Sequence, residues 1–468
     1  MSFELLIVVV FILGYVAIAI EHTLKIDKLI PALLMMAFAW ALVAFGLPYF
    51  EQWFDSSTHG MVSGFKDLPV HAESHAAGHG MADRSSWLES TLLHHFGKTS
   101  EILFFLVGAM TIVEIIDHFD GFSTIKSFIR TNKKRTLLWI VSILAFILSA
   151  IIDNLTATIV LITILRKLID DSQTRIWFAG LIIIAANAGG AWSPIGDVTT
   201  TMLWMGGKVS AVKLVEYIIL PSIICMVVPV LIASFMPAFK GEIPTPEDEG
   251  ATNKMGPTML YLGLAMIVFV PVFKTITHLP PYVGMMLSLG VVALVAEIAS
   301  SRQFSLTNVS NEIKLEDSGH HHSSPTFKAL STIEMPSILF FLGILMTVAA
   351  LESLGLIFEF GKSVQETIPN DIFVVLMGIG SAIIDNVPLV AASMGMFDMA
   401  TFPMDDHIWH FIAYTAGTGG SMLIIGSAAG VVAMGMEKIS FFWYLKNIAW
   451  LALVGYAAGI VVFLLMHM

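Results

Sequence analysis

The stretch Ser149-Ala-Ile-Ile-Asp-Asn154 occurs a second time in the chain, letter for letter, as Ser381-Ala-Ile-Ile-Asp-Asn386. Two further pairs of matching segments keep the same order: residues 102–106 with 338–342, and glycines 189, 190 and 196 with glycines 419, 420 and 426. One short match in apolar sequence could arise by chance, whereas three ordered matches indicate an internal duplication. We therefore expect two related halves, each built around an Asp-Asn pair.

The composition predicts a protein that crosses the lipid bilayer many times. Of 468 residues, 56% are hydrophobic and 13% charged, and the mean hydropathy is +0.82. A soluble protein carries about 25% charged residues, and a run of about twenty apolar residues is long enough to cross a bilayer. The candidate spans are residues 5–20, 29–45, 102–116, 137–168, 176–205, 217–235, 259–272, 283–298, 337–358, 372–399, 408–436 and 441–466.

Charge and cysteine content exclude several functions. A net charge of -12 argues against nucleic acid as a partner, and one cysteine, Cys225, leaves no intrachain disulfide or cysteine-based metal cluster. No cofactor is indicated. The first apolar run has no basic segment before it and other spans follow, so it is interpreted as a retained helix rather than a signal peptide. The predicted location is the inner (plasma) membrane of a bacterium, although the sequence does not separate this from an organelle envelope.

Two apolar segments, 137–168 and 372–399, are too long for single spans. Basic residues flank the first at both ends, which predicts a re-entrant hairpin with both ends in the cytoplasm. Acidic residues follow the second, which favours a hairpin entering from the opposite side. Two ordinary spans joined by a tight turn are the alternative for each. Three spans between the halves would invert the second half relative to the first, as in many secondary transporters.

These patterns give an all-α, polytopic fold with two inverted repeats, each containing a re-entrant hairpin and a broken helix. The histidine-rich polar segments at 52–100 and 301–332 are interpreted as solvated loops, with metal binding as the alternative. The predicted divisions are amino-terminal helices and a polar loop at 1–100, a first repeat at 101–238 (hairpin 137–168, broken helix 176–205), connecting elements at 239–332, and a second repeat at 333–468 (hairpin 371–400, broken helix 408–436).

Asp153 and Asp385 fall at the predicted hairpin tips. A carboxylate is costly in hydrocarbon and survives where it meets water, a cation or a proton. Asn154 and Asn386 add neutral carbonyl oxygens and Thr156 adds a hydroxyl, and such oxygen donors suit a hard cation. The alternative is that each aspartate only caps the following helix, which is compatible with ion binding.

The stretch from Asn187 to Thr201 contains three glycines and a proline in mid-span. These residues predict a broken helix, whose free backbone groups are tolerated where they line a cavity inside the protein. The related stretch from residue 415 onward carries Ser427 where the first carries Asp197. The two halves therefore differ in charge, and Asp197 is a third candidate ion-binding carboxylate, or alternatively a second helix cap.

The paired Ser-Ala-Ile-Ile-Asp-Asn motifs and the Ser-Pro-x-Gly-Asp-x-Thr-Thr stretch resemble the NhaD-type sodium/proton antiporters of the ion transporter superfamily. The resemblance covers the chain from residue 101 onward. It implies a homodimer, a scaffold domain and a transport domain that moves like an elevator. The implied sodium-binding residues are Asp153, Asn154, Thr156, Asn187, Asp197, Thr199, Thr200, Asp385, Asn386, Ser421 and Ser427, supported by Ser149, Ser193 and Ser381.

The sequence thus predicts a secondary active antiporter that exchanges sodium, and with it lithium, for protons by competition at intramembrane carboxylates, in sodium and pH homeostasis. An arsenite or other small-solute permease and a sodium-coupled carrier on the same fold are alternatives. An intramembrane hydrolase with paired aspartates is a further alternative, but its two carboxylates would have to share a proton. A channel would differ from all of these by a flux that does not saturate. No enzymatic activity is predicted.

Overall fold

A computed structural model describes residues 2–19, 25–55, 60–70, 83–126, 129, 131–243, 254–307, 324–383 and 385–467, with the backbone alone for residues 19, 126 and 301–307. The described chain is mostly helical, with one two-stranded antiparallel sheet. Most of the histidines in the predicted polar loops fall outside the described residues. The choice between solvated loops and metal binding at those histidines therefore also lies outside the described residues.

The helices are numbered along the chain. They are α1 (Phe3–Ala19), α2 (Leu29–Gly46), α3 (Arg84–His118), α4 (Ser123–Lys126), α5 (Lys134–Ile152), α6 (Asn154–Leu168), α7 (Ser172–Ala191), α8 (Val198–Met205), α9 (Ala211–Ser234), α10 (Gly256–Thr277), α11 (Pro281–Thr307), α12 (Pro325–Thr332), α13 (Met335–Ser353), α14 (Leu356–Thr367), α15 (Asn370–Gly380), α16 (Asn386–Met396), α17 (His407–Gly419), α18 (Ala428–Glu437), α19 (Phe441–Asn447) and α20 (Ala449–His467). Two strands, β1 (Phe54–Asp55) and β2 (Gly60–Met61), and two short 3-10 helices, Phe65–Asp67 and Pro237–Phe239, complete the described elements.

Nine helices in the described part of the chain are long and apolar enough to cross a membrane, so this is a multi-pass membrane protein. The prediction of one span at 102–116 was too short. The helix starts at Arg84 because Asp83 caps it, accepting a hydrogen bond from the Ser86 backbone N–H at 2.7 Å. It then runs for 35 residues. Part of the predicted polar loop is therefore helical.

The first hairpin consists of α5 and α6, which pack against each other and are separated by one residue. That residue, Asp153, has a φ of 78°, a region in which a side chain is strained unless the surroundings stabilise it. Its carboxylate accepts a hydrogen bond from the Thr156 backbone N–H at 2.7 Å and so caps α6. The chain reverses at the residue where the sequence predicted a tip.

The second hairpin consists of α15 and α16, and its arms are shorter, with 11 residues each against 19 and 15 in the first. Asp385 caps α16 by accepting from the Val387 backbone N–H at 3.4 Å. The hairpin ends at Met396, four residues before the predicted boundary. Both arms pack against α17.

The two broken helices, α7–α8 and α17–α18, are interrupted at equivalent places. A Cβ atom added to Gly190 would lie 2.6 Å from the carbonyl oxygen of Gly196. The same distance separates a Cβ atom added to Gly420 from the carbonyl oxygen of Gly426. Only glycine permits this close approach of the backbone at either break. The duplicated glycines therefore encode the same local geometry twice.

An ion-pair cluster around a buried glutamate joins the first hairpin to the second broken helix. The Glu437 carboxylate, 1% exposed, accepts hydrogen bonds from Arg166 Nε at 2.7 Å and from Arg175 Nε at 3.0 Å. Arg166 lies at the end of α6 and Arg175 near the start of α7. The cluster therefore holds elements of the two halves together at one end of the bundle.

The amino-terminal helices complete the surroundings of the site. Helix α1 packs on α2, and α2 packs closely on α13, the helix that contains residues 338–342, the segment that repeats residues 102–106. A Cβ atom added to Gly343 of α13 would lie 2.7 Å from the backbone of Ala32 in α2. This contact brings the start of α2 to the tip of the second hairpin.

Candidate ion-binding site

Asp197 lies at the centre of a buried hydrogen-bond network. It precedes α8 and caps it, because its Oδ1 accepts from the Thr199 backbone N–H at 3.1 Å. Its Oδ2 accepts from Asn154 Nδ2 at 3.1 Å and from Asn386 Nδ2 at 3.3 Å. The residue is 3% exposed. One carboxylate therefore receives the asparagines of both duplicated motifs.

Asn187 and Ser427 extend this network to the second broken helix. Asn187 Oδ1 accepts from Asn154 Nδ2 at 3.0 Å, and Asn187 Nδ2 donates to Ser427 Oγ at 3.1 Å. Ser427 in turn caps α18, because its Oγ accepts from the Gly430 backbone N–H at 3.2 Å. The two hairpin tips and the two helix breaks thus meet in one network of buried side chains.

The Asp153 carboxylate lies beside the network rather than in it. Its Oδ2 accepts from Thr156 Oγ1 at 3.0 Å, in addition to the helix-capping bond. The side chain borders a cavity of about 60 Å³, called the inner cavity here, which Asn154, Asp197 and Ser337 also line. Within the described part of the chain, no ion pair involves Asp153. The first hairpin therefore presents a carboxylate with no basic partner to an internal space.

Asp385 has different surroundings. Its Oδ2 accepts from the ammonium group of Lys28 at 3.3 Å, and the side chains of Lys28 and Asp385 are only 21% and 14% exposed. The same ammonium group lies 4.4 Å from the centre of the Phe340 ring, a cation–π contact. Sequence reasoning missed Lys28, because a lysine just before an apolar run is ordinarily interpreted as an interfacial residue. Nothing in its local sequence signals a distant carboxylate.

The remaining predicted residues bond mainly to the backbone around the network. Ser149 Oγ donates to the carbonyl oxygen of Ala186, at 2.5 Å. Three further hydroxyl groups also donate to backbone carbonyl oxygens: Thr200 to Asp197 O at 2.9 Å, Ser381 to Gly378 O at 2.7 Å and Ser421 to Thr418 O at 2.6 Å. Ser193 instead accepts through its Oγ from the Ile195 backbone N–H at 3.4 Å. The backbone N–H of Thr199 bonds to Asp197, and its side chain is fully buried. These residues shape the breaks and the tips more than they face a shared space.

The arrangement suits a cation that moves between oxygen ligands. The Asp197 carboxylate interacts electrostatically with both Asp153 and Asp385, so among the described residues three acidic groups lie here, with the Lys28 ammonium paired to one of them. Asparagine side chains offer either an N–H donor or a carbonyl oxygen, depending on their rotation. Here they donate to Asp197, and a half-turn would present carbonyl oxygens to a cation at the same place.

Comparison with known proteins shows what the chain is similar to. Residues 15–409 match the family model described as "CitMHS: Citrate transporter". "Sodium/proton antiporter 2" of Arabidopsis thaliana is 43% identical over 80% of this chain and 87% of its own length. "Sodium/proton antiporter 1" of the same plant is 46% identical over 80% of this chain, and the match spans 63% of that protein's length.

A bacterial relative matches almost the whole chain. "Na(+)/H(+) antiporter NhaD" of Vibrio cholerae is 30% identical over 98% of this chain and 91% of its own length. Among solved structures, the YdaH transporter of Alcanivorax borkumensis has a TM-score of 0.54 at 14% identity and covers 92% of this chain and 97% of its own. This last likeness concerns the fold alone.

Proposed function

Because the chain belongs to the CitMHS family and is related over almost its whole length to the NhaD-type sodium/proton antiporters, we propose that it is a secondary active antiporter that exchanges sodium for protons across its membrane. The observation that carries the proposal is the convergence of both hairpin asparagines on Asp197, which also interacts electrostatically with Asp153 and Asp385. Members of this family are secondary transporters, not enzymes.

The proposed exchange works by competition. Sodium and protons bind the same carboxylates, chiefly Asp153 and Asp197, and each displaces the other. The occupied site is nearly neutral, whereas an empty site would carry uncompensated charge into a region of low dielectric constant. The membrane potential adds about 2.3 kcal/mol per charge per 100 mV to that cost. Movement of the loaded site therefore depends on its being occupied, which is what couples the two fluxes.

The finer features extend the same proposal. The duplicated contacts at the two helix breaks support two inverted repeats, with the hairpins and broken helices moving as an elevator-like body within a homodimer. Lithium, which has the same charge and oxygen preference as sodium, is proposed as a second substrate. The sodium-binding set proposed from the sequence is retained, with the central network as its core and the backbone-bonded hydroxyls as support.

The proposed location is a membrane that carries a proton gradient. The NhaD relatives come from bacteria, which supports a bacterial plasma membrane. The two relatives of higher identity come from a plant, which supports an organelle envelope as the alternative. Immunogold labelling of the source cells decides between the two.

A second candidate function comes from the description of the family model, which names a citrate transporter. Citrate is a polyanion, and a carrier for it needs positive charge at the binding site to offset its carboxylates. The described residues at the site supply three aspartates and one lysine already paired to one of them. Repulsion therefore favours a cation as the transported species and disfavours citrate.

The proposed function is tested in inverted membrane vesicles that have been acidified inside. Adding sodium should dissipate the proton gradient, seen as recovery of the fluorescence of a quenched dye, and the apparent KM for sodium should rise as the pH falls. Citrate should neither dissipate the gradient nor accumulate. Citrate uptake without any sodium-driven proton movement would replace the antiporter with a citrate carrier.

A further inference from the structure

Two cavities near the network share a wall residue, Ser337. The inner cavity contains Asp153 and Asp197. The second cavity, called the vestibule here, has a volume of about 480 Å³ and is lined by residues 25–28, Glu334, Pro336, Ser337 and Val431. Ser337 lies near the start of α13 and is half-buried. The vestibule is therefore adjacent to the inner cavity, with the first turn of α13 between them.

The vestibule is lined by charged side chains of both signs. Asp27 and Glu334 line it together with Lys25 and Lys28, and its wall residue Ser337 also borders the inner cavity. A different cavity of about 390 Å³ between α3 and α8 is lined by Lys98, Lys208, Glu101, Glu352 and two histidines, and no aspartate of the site borders it. The vestibule is thus the better entrance for a cation, because it shares a wall residue with the cavity that Asp153 and Asp197 line.

Lys28 lies where the vestibule meets the site. It lines the vestibule, and its ammonium group bonds to Asp385 and packs on the Phe340 ring. Phe341, the next residue, lines the inner cavity. A cation that approaches Asp385 from the vestibule meets a positive charge already bound there.

We propose that the vestibule is the entry path for sodium and that Lys28 gates it, holding Asp385 as an internal counter-ion until sodium takes its place. This inference rests on the proposed function and adds to it a path and a gating residue. The Lys28 side chain moves away from Asp385 as sodium arrives. Because α2 is packed on α13, this movement transmits occupancy of the site to the amino-terminal helices.

The gate is tested by replacing the competitor with a neutral side chain. In Lys28→Gln, sodium no longer has to displace an ammonium group, so the apparent KM for sodium at alkaline pH should fall about tenfold, equivalent to about 1.4 kcal/mol. Lys28→Arg keeps the charge and should keep the KM close to that of the unaltered protein. Lys240→Gln, which removes an exposed lysine, is the matched control and should change nothing.

The path is tested separately, by chemical labelling. In a Cys225→Ser background, which removes the one native cysteine, Ser337→Cys should react with a positively charged thiol reagent from one side of the membrane only. Ser288→Cys is the control, because Ser288 is fully buried and its hydroxyl bonds to the Met266 carbonyl oxygen. Labelling in sealed membrane vesicles needs no transport and reports on the path even if Lys28→Gln folds poorly.

The outcomes separate the inference from the function on which it rests. An unaltered protein without sodium-driven proton movement overturns the proposed function. An active protein in which Lys28→Gln has an unchanged or higher KM overturns the gate. Labelling of Ser337→Cys no faster than that of Ser288→Cys overturns the path.

Discussion

The two hairpin tips share six identical residues and differ in what surrounds their carboxylates. In both, the asparagine reaches Asp197, at 3.1 Å from Asn154 and 3.3 Å from Asn386. In the first, Asp153 borders an internal cavity beside Thr156; in the second, Asp385 is paired with Lys28. Because the sequence is duplicated, the side-chain amides of both asparagines reach the same carboxylate. The two aspartates have different surroundings, because Lys28, which lies outside the repeats, pairs with the second one.

This difference suggests a division of labour. Asp153 and Asp197 remain without a basic partner among the described residues, so under the proposed function they are the groups that exchange sodium for protons. Asp385 is paired with an ammonium group from a helix that precedes both repeats. In the proposed mechanism the first tip supplies the exchangeable charge and the second senses whether a cation has arrived.

The largest expected effect comes from Asp197→Asn. The substitution keeps the size of the side chain and a helix cap, but it removes the charge that receives both asparagines. The loss should reach about 3 kcal/mol, or about a hundredfold in sodium-driven proton movement in vesicles. Asp171→Asn is the matched control, because Asp171 caps α7 in the same way at the surface. Equal effects from the two variants would reduce Asp197 to a structural cap.

Asp153→Asn should have the next largest effect. The side chain keeps an oxygen for Thr156 but loses the charge that faces the inner cavity, so sodium binding should weaken by about tenfold or more. Isothermal titration with sodium on purified protein measures this directly. An unchanged sodium affinity would show that Asp153 does not bind sodium and that its strained φ serves only to form the turn.

Asp385→Asn tests the contrast between the tips. The variant leaves the Lys28 ammonium without a partner beside the sodium site, where it repels the cation. Adding Lys28→Gln to Asp385→Asn should therefore raise the sodium affinity a few-fold above that of Asp385→Asn alone. Adding Lys28→Gln to Asp153→Asn should raise the sodium affinity less. Equal recovery in both backgrounds would mean that the tips are not distinct in this respect.

The smallest effect on transport is expected from Glu437→Gln, which changes the contact between the halves and not the site. Arg166 is 44% exposed, which weakens its share of the ion pair, so the loss of unfolding free energy should be about 2 kcal/mol. Thermal unfolding in detergent should show a lower melting temperature with an unchanged apparent KM for sodium. A large change in KM would place the cluster within the transport mechanism.

The sequence predicted the elements that depend on local residues. The glycines, Pro194 and the repeated motif predicted both tips and both helix breaks, because chain reversals and interruptions follow from short-range sterics. It also predicted that Asn154, Asn187 and Asp197 belong together. The prediction failed where distant segments meet: the pairing of Lys28 with Asp385, 357 residues away, depends on the packing of α2 against α13.

The most direct test of the central claim is proton release on sodium binding by the purified protein. Sodium is added to the protein in weakly buffered detergent solution, and a pH indicator follows the change. Competition at shared carboxylates predicts that sodium releases protons from the unaltered protein, that release decreases at high pH where fewer protons remain bound, and that Asp153→Asn with Asp197→Asn abolishes it. Saturable sodium binding with no proton release at any pH would contradict the account.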